Sequence, residues 1–488
     1  MNETSVDVLI VGAGFSGLGM AIRLLQSGWR SFLIVDKHED VGGTWWANTY
    51  PGCACDIPSH LYSFSFELNP EWSRMFPAQG EIEAYLRRCA ERYGVMPYVR
   101  LRAPLTEARW NGAEKVWEAL AGKGQKIRAR VLVSAIGALH IPHYPQLEGL
   151  EHFEGPVFHS AAWNHAVDLR GRRIGVIGTG ASAVQFVPQI APLAGKLTLF
   201  QRTAAWIVPR PDFAISPAMK RLFRHVPGAM RLFRLLIYLR QESLVAGFLG
   251  DERVREKLGG IARRHLNKQV RDAELRARLT PHYEVGCKRV LVSSDFYPAV
   301  QRENVELVTE RIREVCAHSV VTEDGVERPQ DVLIFGTGFH ATEPLRGLQI
   351  VGRGGLALAD AWKERMSAYL GITVAGFPNL FLLLGPNTGL GHNSVVLMIE
   401  AQIRYVMDCL KLMRRRGAEV MEVREEGQAR FTAEMRQRLT TTVWQTGGCS
   451  SWYQDARTGE NPTIWPGSVA SYRARTKRAD AAQYLFGG

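Results

Sequence analysis

Short, nearly unbroken apolar blocks punctuate this chain, most of them closed by glycine or by a turn. Val6 to Val11, Ser31 to Val35, Val131 to Gly137, Arg173 to Ile177, Leu197 to Phe200, Val305 to Val308 and Asp331 to Phe335 are of this kind. Such runs predict buried strands rather than half-exposed ones. Stretches with apolar residues at helical spacing separate them, at about 15–27, 80–94, 182–193 and 395–415. The order predicts an α/β fold. Two segments depart from it. Residues 99 to 135 read as strands with glycine turns, a small antiparallel insertion. Residues from about 216 to 280 read as a helical, basic insertion, in which Leu222, Phe223, Val226, Leu232, Phe233, Leu235, Leu236 and Ile237 recur at helical spacing among arginines. The insertion is expected to cover its own core. The alternative is a helix lying on a membrane surface, or a greasy entrance for substrate.

Two strand–turn–helix junctions carry the same device. The first reads Gly12-Ala-Gly14-Phe15-Ser-Gly17 and its second strand ends at Asp36. The other reads Gly178-Thr-Gly180-Ala181-Ser182-Ala183 and its second strand is followed by Arg202 and Thr203. Glycines let the backbone approach a pyrophosphate, and the helix N-terminus offers it partial positive charge. Gly12 to Asp36 and Gly178 to Arg202 are both 24 residues apart. The copies differ at the residue that reads the ribose. An acid pairs the ribose hydroxyls, so the first copy predicts FAD. An arginine suits a 2′-phosphate, so the second predicts NADPH rather than NADH. The fold class follows: α/β, with two Rossmann-like dinucleotide-binding domains and a helical insertion. The FAD-binding domain is expected to be discontinuous (1–140 and 333–488). The NADPH-binding domain is expected at 150–332, with the insertion at about 212–282.

Composition narrows the function classes. The chain has 488 residues, enough for several domains, and its 46% hydrophobic and 22% charged content is ordinary for a globular protein. The net charge of +12 could serve nucleic acid, a membrane or an anionic cofactor. No helix-turn-helix, zinc-finger or RNA-binding signature accompanies it, so nucleic acid is not expected. Seven cysteines are scattered, with no Cys-x-x-Cys pair. Neither a metal site nor a thioredoxin-like dithiol is expected, and reduced cysteines in a cytoplasmic protein are the simplest reading. No run of apolar residues is long enough for a transmembrane helix.

Three further motifs give the chain a family resemblance. Phe153, Gly155, His159 and Trp163 resemble the Phe-x-Gly-x-x-x-His-x-x-x-Trp fingerprint of type I Baeyer–Villiger monooxygenases, in the class B flavin-containing monooxygenase superfamily. Asn164 follows where that family usually has proline or aspartate. Gly43, Trp45, Tyr50, Pro51, Gly52 and Asp56 resemble a second motif of the family, beside Thr44 in the same glycine- and tryptophan-rich loop. Gly286-Cys287-Lys288-Arg289 resembles the family's Lys-Arg segment. The resemblance implies that Arg289 is the catalytic arginine, that Asp56 holds it near the flavin, that Tyr62 lies against FAD and that Lys288 helps to hold the NADP phosphate. His392 either faces the flavin or caps the turn before the helix at 395–415; the cap is the preferred expectation, with Asn393 and Ser394 supplying the helix's N-terminal chemistry.

The implied reaction runs from NADPH to FAD, to a C4a-peroxide formed with O2, and then to attack on an apolar ketone, giving an ester or lactone. A fixed cation beside the developing negative charge is physically required, and a guanidinium fits it. Three other readings stay open. Asn164 leaves room for oxygenation of nitrogen or sulfur. A flavin disulfide reductase or an electron-transfer flavoprotein would also bind FAD and NADPH, although Cys53 and Cys55 have the wrong spacing for a dithiol.

Overall fold

Val8, Leu9 and Ile10 are fully buried because the strand Thr4–Val11 runs through the middle of a sheet. It is parallel to Phe32–Val35 on one side and to Gln125–Ser134 on the other. The computed structural model describes residues 3–487. The strand Gln125–Ser134 also serves two partners along its other edge. Its first half pairs antiparallel with Val116–Ala121, and its last residues pair parallel with Leu380–Leu382. Leu105–Asn111 and Gln349–Val351 extend the sheet on that side, and Val99–Arg100 closes the opposite edge. The antiparallel strands therefore continue the main sheet rather than standing apart. The long helix Val395–Arg416 packs on Phe15–Gln26, where a Cβ at Gly19 would come within 2.8 Å of Ile403 and 3.0 Å of Phe64.

A second sheet holds Val305–Val308, Lys196–Phe200, Arg173–Ile177, Val332–Phe335 and Val157–His159 in that order, all parallel. Both sheets are the strand layers of Rossmann-like units. The chain passes from the first sheet to the second after Ser134 and returns after Phe335. The two crossings run side by side: the His143 N–H donates to Gly338 O at 2.9 Å and the His340 N–H to Ile141 O at 3.0 Å.

The segment between Lys196–Phe200 and Val305–Val308 is helical, with Pro217–His225, Ala229–Glu242, Val245–Phe248, Glu252–Gln269 and Ala273–Arg278. It covers its own core only in part. Phe223, Ile237, Ala262 and Leu266 are buried, but Leu222, Leu232, Leu235, Leu236 and Leu239 are exposed.

The expectation of reduced cysteines fails at one pair. Cys287 and Cys449 form a disulfide across 162 residues of sequence. The pairing is invisible in the sequence because tertiary contacts create it: the Glu284 N–H donates to Gly447 O at 2.9 Å, laying the tail against the Lys288–Arg289 segment. Cys53, Cys55, Cys89, Cys316 and Cys409 are free thiols.

Candidate active site

Both glycine loops have the geometry that their spacing predicts. Gly12 stands at φ +109°, and a Cβ there would come within 2.5 Å of Ala135 O. A Cβ at Gly43 would come within 2.8 Å of Gly14 Cα, so the loop bearing Thr44 and Trp45 closes directly on the first glycine turn. Gly17, at the start of the helix Phe15–Gln26, packs against Gly12 O. That helix begins at Gly14 with no side-chain cap and no acid in its first turn. Its leading N–H groups remain available to an anion. Asp36 sits at the end of the second strand as expected. Its Oδ2 accepts from the Ala13 N–H at 2.6 Å and its Oδ1 from the His38 N–H at 2.8 Å. Each oxygen thus steadies the loop and keeps a lone pair for ribose hydroxyls.

The second loop repeats this design. Gly178 stands at φ +100°, a Cβ there would come within 2.7 Å of Gly336 O, and the helix Ala181–Ile190 begins at Gly180 without a side-chain cap. Ser182 is half-buried and Ala183 fully buried in its first turn. Arg202 and Thr203 are exposed at the end of the adjacent strand. Burial lowers the pKa of Lys288, and the nearby Arg202 charge lowers it further. Burial likewise lowers His143, with His340, Arg202 and Arg346 adding to the effect. Arg202 and Lys288 thus stand close enough to feel each other's charge, a pair of donors suited to a phosphate dianion. Both loops fit dinucleotides.

Between the two loops lies a charged cluster. Two short parallel strands, Ile207–Val208 and Leu291–Val292, pair residue by residue. They bring Arg210, just after the first, and Arg289, just before the second, to the same carboxylate. The Arg210 Nη2 donates to Asp56 Oδ1 at 3.0 Å, whereas Arg289 Nε stands 4.0 Å from Asp56 Oδ2. Gln185, from the second-loop helix, donates to Asp56 Oδ1 at 3.1 Å and accepts from Tyr50 Oη at 2.9 Å. Burial opposes the charge on Arg289, but Tyr453, Asp56, Cys55 and Tyr62 together outweigh it and raise its pKa. The guanidinium is therefore a permanent cation. Tyr453 is buried and its Oη has no hydrogen-bond partner among the described residues. Trp45 Nε1 donates to Tyr62 Oη at 3.3 Å, and the Tyr62 ring meets Phe15 edge-on at 5.2 Å. Trp45, Tyr62 and Phe15 make an aromatic wall from the first glycine loop towards Arg289.

The fingerprint residues sit elsewhere. His159 ends the edge strand of the second sheet and is fully buried, with its Nδ1 accepting from the Ala161 N–H at 3.0 Å. Its ring packs against Tyr144 and Phe339, one from each crossing segment. Trp163 packs edge-on to Phe158 and against Phe186. A Cβ at Gly155 would collide with Asp331 O, and Phe153 is buried beside it. Of the four, His159 packs between the crossing segments, whereas Phe153, Gly155 and Trp163 pack within the second unit.

Arg210, Gln185 and Tyr453 escape sequence reasoning. Only the position of Gln185, soon after Ala183 in a cofactor helix, could have pointed to it. The expectation for His392 is corrected. It does not cap the turn; its Nε2 meets Glu242 Oε2 at 3.4 Å, and Asn393 Nδ2 donates to the same oxygen at 2.9 Å. Ser394 occupies the N-cap position without a capping bond. Burial alone would raise the Glu242 pKa; the bonds from His392, the Ala470 N–H and Asn393 hold it down at about 2. The bent-back helix Ala229–Glu242 supplies this partner, which no local pattern reveals.

Comparison with known proteins agrees with this geometry. The sequence model of the family described as flavin-binding monooxygenase-like matches residues 5–351. A Baeyer–Villiger monooxygenase of Pseudomonas aeruginosa is 49% identical over 477 residues, 98% of this chain and 90% of that protein. One from Streptomyces coelicolor is 44% identical over 480 residues, 98% of this chain and 92% of that protein. Among solved structures, the closed form of cyclohexanone monooxygenase superposes with a TM-score of 0.90 at 29% identity, covering 100% of both chains. Steroid monooxygenase bound to NADP superposes at 0.86 with 30% identity, over 99% of this chain and 100% of that one. The chain belongs to the flavin-binding monooxygenase-like family, in the superfamily of the Baeyer–Villiger monooxygenases, and is a flavoprotein monooxygenase.

Proposed function

We infer that the protein converts an apolar ketone, O2, NADPH and a proton into an ester or lactone, NADP+ and water. The observation that carries this reading is Arg289, a permanent cation held 4.0 Å from Asp56 at the end of the aromatic wall that begins at the first glycine loop. FAD belongs in the first loop and NADPH in the second, so the FAD-binding part comprises about 1–140 and 333–488 and the NADPH-binding part about 150–332. When bound, the reduced flavin supplies the oxygen-activating chemistry with electrons from NADPH.

The side chains do the rest. Gly12, Gly14, Phe15 and Gly17 admit the FAD pyrophosphate, Asp36 takes ribose hydroxyls, and Gly43, Thr44, Trp45 and Tyr62 close the pocket around the ring system. Gly178, Gly180, Ala181, Ser182 and Ala183 admit the NADPH pyrophosphate, while Arg202, Thr203 and Lys288 bind its 2′-phosphate. Arg289 aims its donors at the negative charge that develops on the ketone oxygen, where a fixed dipole or cation is worth most. Asp56 orients Arg289 and moderates its charge. His159, packed between the crossing segments, sets the angle between the two cofactor-binding parts, and Phe153, Gly155 and Trp163 support it from within the second unit.

The test is NADPH consumption under air by the FAD-loaded protein with linear, cyclic and aryl ketones and thioethers, with products read by mass. Ester or lactone, lost in Arg289→Ala, supports the reading. Sulfoxide with no ester from any ketone would replace it with heteroatom oxygenation, which Asn164 leaves open. Electron transfer without oxygenated product would point to a reductase.

A further inference from the structure

We propose that the helix Ala229–Glu242 docks the enzyme onto the surface of an anionic lipid bilayer. This helix is apolar on both sides, with Phe233, Ile237 and Tyr238 packed inward and a leucine stripe left facing outward. It buries Arg234 and Ile237 against the protein. It leaves Leu232 57%, Leu235 47%, Leu236 57% and Leu239 51% exposed. At about 100° per residue the four leucines fall within an arc of roughly 100°. Arg231 and Arg240 lie about 40° beyond either edge of that arc, and Glu242, about 20° beyond the Arg231-side edge at the helix end, is turned inward to His392 and Asn393. An apolar stripe bordered on both sides by arginines is the profile of a helix lying in a membrane interface, its leucines in the acyl boundary and its arginines reaching up to phosphates. Leu222 on the preceding helix Pro217–His225 and Val226 at its C-cap are exposed too.

The charges select the lipid. Between Ser216 and Leu244 the chain has Lys220, Arg221, Arg224, Arg231, Arg234 and Arg240 but only one acid, Glu242. Glu242 is turned inward to His392 and Asn393. Arg224 is paired with Glu71, whereas Arg221, Arg231 and Arg240 are exposed and make no ion pair among the described residues. A second copy is a poorer occupant, because a two-fold contact through this face would set arginines against arginines with no acid to receive them.

The face is also held rigid. Arg234 Nη1 donates to His60 O at 2.6 Å, to Leu61 O at 3.1 Å and to Ser63 Oγ at 3.1 Å, and its Nη2 donates to Ser63 O at 3.0 Å. The leucine stripe is thus the outer side of the element that clamps the segment carrying Tyr62. No helix among the described residues is long and apolar enough to cross a membrane, so contact by this segment would be peripheral.

The experiment is co-sedimentation of the full-length, FAD-loaded protein with vesicles of phosphatidylcholine alone and of phosphatidylcholine mixed with phosphatidylglycerol. The protein should partition onto the anionic vesicles and much less onto the neutral ones, and salt should weaken binding. Each of Arg231→Gln and Arg240→Gln should lower the partition coefficient about fivefold. Leu235→Gln with Leu236→Gln should lower it about tenfold or more. FAD content and NADPH oxidation should be retained in all of them, which reports folding independently. Equal binding to both vesicle types, no binding, or binding indifferent to the leucines would overturn the proposal. A dimer in sedimentation velocity that is abolished by the leucine variants, without vesicle binding, would assign the face to self-association instead.

Discussion

Asp56 bonds to Arg210 at 3.0 Å and holds Arg289 only at 4.0 Å. One carboxylate is therefore divided unequally between two guanidiniums, and the weaker hold falls on Arg289, the arginine proposed to act in the reaction. Removing Arg289 removes the donor itself. Arg289→Ala should keep FAD and lower the rate of ester formation by about 10²–10³, the cost of deleting a preorganised donor. Arg210→Met frees Asp56 to close on Arg289 and neutralise it. It should lower kcat of ester formation by about tenfold or more, with a smaller change in ketone KM. Steady-state product analysis on variants of equal flavin content separates the two. An Arg210→Met enzyme with wild-type kcat would mean that Asp56 does not redistribute.

Arg202 is exposed at the end of its strand, near Lys288. Its bond to a 2′-phosphate would be charge-assisted, worth about 1.5–3 kcal/mol, or roughly tenfold to a hundredfold in affinity. Arg202→Ala should raise KM for NADPH by that factor and leave KM for NADH nearly unchanged. An unchanged ratio of the two would remove Arg202 from the phosphate site.

The parts of the site that can be read from the chain are those whose geometry is local. A glycine loop, its helix start and the residue after the next strand are fixed by a short stretch, so Gly12 with Asp36 and Gly178 with Arg202 can be placed from spacing. Asp56 and Arg289 are identifiable only through motif resemblance, since a carboxylate in a loop and a lone Lys-Arg pair carry no local signal. Arg210, Gln185 and Tyr453 reach the cluster from three further segments, and the Cys287–Cys449 bond joins residues 162 apart. Periodicity also mistakes the face of Ala229–Glu242. It finds the leucines at helical spacing but cannot tell that the opposite side, with Arg234, is the one turned inward.

The disulfide fixes the tail where it meets the site. Cys287 lies two residues before Arg289, and Cys449 four before the buried Tyr453. A bond closing so long a loop stabilises by a few kcal/mol at most. Cys449→Ser should lower the melting temperature by a few degrees and slow ester formation, because the tail that carries Tyr453 loses its anchor beside Lys288 and Arg289. Peptide mapping without reductant should recover the two cysteines in one linked peptide. Free thiols at both positions in an active enzyme would show that the contacts between Glu284 and Gly447 suffice.

Two buried histidines make stability depend on pH. His60 is pushed down to about 4 by burial, helped by the charge of Arg234, and neither ring nitrogen has a hydrogen-bond partner among the described residues. His159 is also pushed down to about 4 by burial, with His143 adding to the effect. Unfolded histidine titrates near 6.5. Between about pH 6.5 and 4 the unfolded chain therefore binds protons that the folded one refuses, and stability falls as pH falls. At pH 5 the loss is about 2 kcal/mol for each histidine, and above pH 7 it vanishes. The urea midpoint should accordingly drop between pH 7.5 and 5. The His60 ring lies edge-on to Phe223 and Phe233, so an apolar side chain of similar size can replace it. His60→Met should reduce the stability lost between pH 7.5 and 5 by about 2 kcal/mol without lowering the midpoint at pH 7.5. An unchanged slope in this variant would mean that the His60 pocket admits water and lets the ring protonate in the folded state.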